Sequence, residues 1–473
     1  MQGGFKSTPV NIFVRFEIGT VGGVVFALRR PQPCPPAVAG SIDTLRAANL
    51  AFAERYPGEA GSRQPVHTVY GGAQIFTPDI ARKLGDVALR ALDEYAPDAK
   101  TLGDALGISD HPALDTIYSR VLEKLKREPV EDFRVDFEDG YGNRPDAEED
   151  GHAKAVAESL AAGMQNGTLP PFIGMRIKPL NEELRVRSMR TLEIVLTEVI
   201  KRAGALPVNF VVTVPKIVIL EQVEFIVEEL ARLEGELGLE WGTIPFEIMV
   251  ETPQIILDRK GRSLLPRIPA ISEGRLVGAH FGTYDYTAGV NITAAHQRMR
   301  HPACDFAKHM MQVSFAGTGV WLSDGSTTVM PVPLHRGASL SAAEVAANHA
   351  SVHAAWKLHF DDITHSLVGG FYQGWDLHPA QLVTRYAALY AFFLDGIDAA
   401  AARLSNFVSK AAQATLVGDV FDDAATGQGL LNFFLRGVNS AAITEEDAVR
   451  MSGLSVEELR SRSFVSILRN RAR

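Results

Sequence analysis

From Pro65 onward the chain alternates short β-rich runs with long helix-patterned segments, and this rhythm constrains the fold more than any single residue does. The candidate strands are Val66–Tyr70, Phe133–Phe137, Phe172–Ile177, Val208–Val214, Phe246–Val250, Leu276–Phe281, a weaker run at Thr318–Leu322, and Ser366–Phe371. Between them, Leu192, Val195, Leu196, Val199 and Ile200 share one helical face, as do Leu220, Val223, Val227 and Leu230. Helices apolar on one side pack as crossovers onto a parallel sheet, and eight βα units can close on themselves. The spacing therefore predicts an α/β fold, a TIM (β/α)8 barrel.

The expected barrel spans 64–392, with an insertion at 90–130 after the first strand that carries helical segments at Leu102–Ile108 and Thr116–Leu125. Residues 1–63 form an N-terminal extension. It comprises a β-like run Val10–Phe16, a Gly/Val-rich stretch to Leu28, the Pro31–Pro36 interruption and a helix from Ile42 to Tyr56. Residues 393–473 form a helical C-terminal extension; Tyr386–Phe407 is helical in pattern, and Ser455 and Glu458 have capping-box spacing at a final helix.

With 46% hydrophobic and 22% charged residues over 473 positions, the chain has the composition of a soluble enzyme. Its formal charge of -9 is spread along the sequence and makes no electrostatic funnel for nucleic acid. Cys34 and Cys304 supply no disulfide framework, no leading apolar segment marks secretion, and the apolar runs break before the roughly 18–20 residues that span a bilayer. The expectation is a cytoplasmic protein with no membrane partner, its extensions suited to building a homo-oligomer.

Glu251 and Asp285 each sit just past an apolar run, in Val250-Glu251-Thr252-Pro253 and Gly282-Thr283-Tyr284-Asp285-Tyr286. Adjacent barrel strands lie about 4.8 Å apart, so loops from their same ends can bring two acids to one cation, and Mg²⁺ suits oxygen ligands. Either acid alone would also serve as a helix cap or as the partner of a surface arginine. Arg176 and Lys178 follow Met175 on the third strand, where a guanidinium can bind a carboxylate through two parallel hydrogen bonds or form a core salt bridge to Asp136 or Glu138. Asp136, Glu138 and Asp139 crowd the end of the second strand, and neighbouring acids raise one another's proton affinity, a route to a general acid or base. Lys216 ends the fourth strand; as a Schiff-base former it would need an apolar or cationic pocket, and beside acids it reads as a charge-balancing lysine. Asp324, before Gly325, is a further base candidate. His349 and His353 have helix-face spacing but no glutamate between them, so a zinc site has weak support.

Together these motifs resemble the HpcH/HpaI aldolase and citrate lyase β-subunit family, within the pyruvate/phosphoenolpyruvate-binding barrels. The resemblance runs in order over residues 64–390: Val135-Asp-Phe-Glu-Asp139, Met175-Arg-Ile177, Val214-Pro-Lys-Ile217, Val250-Glu-Thr-Pro253, Phe281-Gly-Thr-Tyr-Asp285, and Gly370-Phe-Tyr-Gln-Gly-Trp-Asp-Leu-His-Pro-Ala-Gln381. It implies Mg²⁺ (or Mn²⁺) on Glu251 and Asp285, and Arg176 on a carbonyl or carboxylate of a pyruvate-, oxaloacetate- or malate-like ligand. Lys178, Gly282 and Thr283 would be further substrate contacts, with Trp375 and His378 near the eighth strand. The implied reaction is carbon–carbon bond cleavage or formation on a 2-oxo or 2-hydroxy acid, sometimes as an acyl-CoA thioester. Three positions depart from the pattern: Tyr284 replaces an acid before the metal aspartate, Gly374 replaces a lysine before Trp375, and Val69-Tyr-Gly-Gly72 replaces Val-Pro-Gly. These changes weaken CoA use more than metal binding. Two other readings stay open: a non-catalytic carboxylate-binding or assembly subunit, and phosphoryl transfer involving phosphoenolpyruvate, with Arg63, Lys178, Arg298 and Arg300 as possible phosphate contacts.

Overall fold

The computed structural model describes residues 18–21, 24–27, 39–58, 63–409, 415–417, 420–422, 424–461 and 463–471. The chain divides into two units, Met1–Arg55 and Tyr56–Arg473. The first contains a short antiparallel pair, Ile18–Val21 with Val24–Ala27, and a helix Ala39–Arg55 that corresponds to the expected Ile42–Tyr56 segment. The expected run Val10–Phe16 and Cys34 lie outside the described residues.

In the second unit eight parallel strands close a barrel: β1 (His67–Gly72), β2 (Asp132–Asp136), β3 (Phe172–Arg176), β4 (Phe210–Val214), β5 (Phe246–Val250), β6 (Leu276–Phe281), β7 (Trp321–Ser326) and β8 (Gln373–Asp376). They pair in sequence order, and β8 closes the ring on β1 through Gly374 opposite His67. The long first crossover holds helices Ile80–Tyr95, Ala99–Leu106 and Leu114–Arg127. Of the helix-face residues read from periodicity, Leu192, Val195, Leu196 and Val199 on Arg185–Ala203 are buried and Ile200 is only partly so, and Leu220, Val223, Val227 and Leu230 on Leu220–Leu237 are all buried.

The last two strands differ from the expected positions. Ser366-Leu-Val368 is the final turn of helix Ala342–Val368, and Gly370 at φ 83° turns the chain so that the strand begins at Gln373. Strand seven likewise starts later than expected, at Trp321, and runs into Ser-Asp-Gly-Ser. Both strands are polar, which hides them from a search for apolar runs. The helical pattern over Tyr386–Phe407 is two helices, Gln381–Leu394 and Ile397–Ser409, parted at Gly396 with φ 69°. Ser455 and Glu458 do form the reciprocal capping bonds, each backbone N–H donating to the other's side chain. The C-terminal helices gather their own apolar cluster around Leu404, Phe407, Leu431, Phe434 and Phe464.

Strand alternation sorts the barrel into two chemistries. Phe133, Val135, Ile173, Met175, Val212 and Ile248 join the buried apolar core. The alternate residues fill the lumen with charge: Arg134 forks onto Glu247 (Nε–Oε1 2.8 Å, Nη2–Oε2 3.0 Å) and also reaches Asp132 and Thr213. His280 Nε2 lies 2.9 Å from Glu247, and Trp375 Nε1 donates to His280 Nδ1 at 3.1 Å. Every one of these groups is paired, which is what makes a charged lumen tolerable. Replacing Arg134 by Met leaves buried Asp132 without its cation and Glu247 with only His280 beside it, so urea unfolding should show a loss of about 3–5 kcal/mol; a loss below about 1 kcal/mol would mean the lumen does not rest on Arg134.

Candidate active site

The last residues of β2 and β3 stand side by side, Asp136 opposite Arg176, at the carboxyl-terminal end of the barrel. Arg176 donates from Nε and Nη2 to the two oxygens of Asp136, at 2.8 and 2.5 Å. The same carboxylate accepts the amides of Glu138 (2.9 Å) and Gly140 (2.7 Å). Burial pushes the Asp136 pKa up, but Arg176 and the two amides outweigh it, and the group ends below the ordinary aspartate value. Asp136 is thus a fixed anion that aims the guanidinium.

The third guanidinium nitrogen, Nη1, faces Glu138 Oε2 at 2.9 Å and the Met249 sulfur at 3.7 Å. The guanidinium lies over the rings of Tyr70 (4.8 Å) and Trp375 (5.8 Å), which pack against each other with centroids 4.5 Å apart. The Tyr70 hydroxyl is buried with no hydrogen-bond partner among the described residues. Tyr70 and Met249 escaped the sequence reading because an aromatic or a thioether in a strand looks like core; the only signal for Tyr70 was its position just before Gly71-Gly72 at the end of β1.

Opposite Arg176 lie the acids. Glu251 follows β5 and is buried, its Oε1 accepting the Lys216 amide at 2.7 Å. A side chain at Gly282 would come within 2.3 Å of Glu251 Oε2, so this glycine makes room for the carboxylate. Asp285, on the short helix Thr283–Gly289, is half-exposed. The Lys216 ammonium joins them: it pairs with Glu138, lies 3.1 Å from Asp139 and 3.3 Å from Asp285. Burial, with Glu138 and Asp285 adding repulsion, pushes Glu251 up to about 8. Burial likewise raises Glu138 despite Arg176 and Lys216.

The structure therefore brings together Arg176, Asp136, Glu138, Asp139, Lys216, Glu251, Asp285, Gly282 and Trp375. It sends others elsewhere. Lys178 donates to the Phe137 carbonyl (2.6 Å), pairs with Glu149 (3.0 Å) and lies over Tyr141. Asp324 lies inside β7 and meets Lys308 (2.9 Å) and Ser366 (2.6 Å) on two helices. His378 accepts the Ala380 amide. The Thr283 hydroxyl is buried against Met299 at 3.8 Å. Among the possible phosphate contacts, Arg63 pairs with Glu128 and Glu131 and Arg300 with Asp362. His349 and His353 pack in an aromatic cluster with Tyr95 and Trp356.

Among the described residues, no group of three or more His, Cys, Asp or Glu side chains is arranged to hold a metal. The donor set is nonetheless one a hard cation suits: among the described residues, the carboxylates Asp136, Glu138, Asp139, Glu251 and Asp285 cluster about the side-chain cations Arg176 and Lys216. Glu251 and Asp285 are the residues that could hold Mg²⁺ or Mn²⁺.

A family model described as a domain of unknown function, DUF6986, matches residues 45–467, and the chain belongs to that family. No curated protein matches the sequence. Among solved structures, the chain is similar to a citrate lyase from Burkholderia xenovorans LB400, with 16% identity and TM-score 0.52 over 83% of this chain and 97% of that one. It also matches, at 13% identity and TM-score 0.44, a Haloferax volcanii malate synthase (86% and 98% covered) and the CitE protein of Mycobacterium tuberculosis bound to magnesium, acetoacetate and coenzyme A (84% and 100% covered). At such identities what is shared with the Burkholderia protein is the barrel fold alone. No helix among the described residues is long and apolar enough to cross a membrane.

The raised Glu251 pKa has a sign. In the folded chain the group keeps its proton to about pH 8, whereas an ordinary glutamate loses it near 4.5, so its contribution to stability is full below 4.5 and is lost as pH rises toward 8. Glu251→Gln stays neutral throughout; in metal-free buffer its melting temperature should gain on the wild type between those pH values. A difference that does not change with pH would contradict the burial of this carboxyl among acids.

Proposed function

We propose that the chain is a metal-dependent carbon–carbon lyase of the aldolase type, acting on a small 2-oxo or 2-hydroxy carboxylate. The observation that carries the reading is the Arg176 guanidinium, aimed by Asp136, stacked on Tyr70 and Trp375, and close enough to the buried Glu251 to favour its charge. Bound at Glu251 and Asp285, Mg²⁺ or Mn²⁺ would supply Lewis-acid polarisation of the substrate's oxygens.

The protein's own contribution follows from its donors. Arg176 binds negative charge that grows on an enolate oxygen, and it is fixed before the reaction by its fork on Asp136, so reorientation costs little as charge develops. Tyr70 and Trp375 give the guanidinium flat aromatic faces to rest on, which hold its plane in place. Glu138, with its proton affinity raised by burial and its carboxylate between Arg176 and Lys216, is the group in reach to hold or pass a proton at the α-carbon. The free acid is the preferred substrate here over a CoA thioester, since Gly374 offers no cation where the related motif carries lysine. The Burkholderia protein sharing this fold is a citrate lyase, which agrees with the reaction class.

The test is exchange of pyruvate methyl protons with D₂O, followed by NMR in the presence of Mg²⁺ or Mn²⁺. The wild type should catalyse exchange that chelator abolishes. Arg176→Lys, which keeps the charge but loses the fork, should be slower by about 10²–10³-fold. Metal-independent exchange, or a variant as fast as the wild type, would remove the proposal's basis.

A further inference from the structure

Lys216 touches more of the acidic cluster than any other residue does through both main chain and side chain. Its amide is 2.7 Å from Glu251, and its ammonium pairs with Glu138, Asp139 and Asp285. To do both, it adopts φ 51°, a left-handed conformation uncommon for a residue with a side chain. Pro215 just before it has no amide to donate, and the amide that reaches Glu251 is that of Lys216. The side chain is 28% exposed, which leaves a route by which its flexible stem can swing outward.

A divalent ion bonded to Asp285 would sit about 2.0–2.1 Å from a carboxylate oxygen. The ammonium stands 3.3 Å from Oδ2 of that same carboxylate, so the two cations would repel at contact range. We propose that Lys216 is a displaceable counter-ion, which neutralises the cluster in the metal-free chain and leaves Asp285 and Glu138 when a divalent cation binds, so that this lysine sets the metal affinity. The proposal rests on the reading of Glu251 and Asp285 as metal ligands. Its consequence is that metal loading also frees Glu138 from its lysine partner, tying the arrival of the cation to the unmasking of the group in reach of the substrate's proton.

The test uses the full chain and Mn²⁺ alone, with bound ion measured by loss of the free-ion EPR signal. Lys216→Met should bind Mn²⁺ roughly tenfold or more tightly than the wild type, because one competing charge is gone, whereas Lys216→Arg should bind no more tightly. Lys216→Met should also melt lower than the wild type in chelator and regain the difference in Mg²⁺. A second measurement needs no variant: amine acetylation of the wild type, read by mass spectrometry, should increase at Lys216 when Mg²⁺ saturates the site. Unchanged labelling, or a Lys216→Met that binds Mn²⁺ no better, would overturn the counter-ion role, and the ligand reading would still stand if Glu251→Gln weakened wild-type Mn²⁺ binding. Absence of Mn²⁺ binding in both the wild type and Lys216→Met would overturn the ligand reading itself and the proposal with it.

Discussion

The fork of Arg176 on Asp136 is the interaction on which the site's arrangement depends. Both residues end adjacent parallel strands, so the ladder of the barrel sets their separation before either side chain chooses a rotamer. Two amides of the following turn complete the carboxylate, and Gly140 must remain glycine because a side chain there would come within 2.6 Å of Asp136 Oδ2. One guanidinium nitrogen is then left to face Glu138, with two aromatic rings beneath the plane. A cation so constrained can meet charge without first being reoriented.

Below this layer the lumen continues as paired charge, from Asp132 and Arg134 through Glu247 and His280 to Trp375. Trp375 thus belongs to both layers: its indole N–H donates down to His280 while its ring packs against Tyr70 beneath the guanidinium. Stability and site geometry are coupled through that ring. A barrel filled with apolar side chains would pack as well, but it would leave Trp375 without the hydrogen bond that fixes its tilt.

How much of this was legible in the sequence follows from how apolar each strand is. β1 to β6 carry Val, Ile, Phe or Met on their helix-facing side and were found within a few residues, whereas β7 and β8 read Ser-Asp-Gly-Ser and Gln-Gly-Trp-Asp and were displaced toward the nearest apolar run. The acids Glu251 and Asp285 were visible because each follows an apolar strand directly, and Arg176 because a charge at a strand's end needs a partner. Lys178, two residues on, looks equivalent in sequence; only the fold shows that it turns to Glu149 and the Phe137 carbonyl. Tyr70 has no signal beyond its place before Gly71-Gly72, since a single sequence does not distinguish a ring beneath a guanidinium from a residue of the core. Lys216 reads from its neighbours as a balancing charge, and the fold adds what spacing cannot: one residue serving Glu251 by its backbone and three other acids by its side chain.

The central claim is that a divalent cation and the Arg176 guanidinium grip one carboxylate substrate from opposite sides. Anomalous diffraction from crystals grown with Mn²⁺ and pyruvate tests it most directly. The expected result is a manganese peak beside Glu251 and Asp285, with pyruvate bound next to Arg176. A peak on other residues, or pyruvate bound away from Arg176, would contradict it.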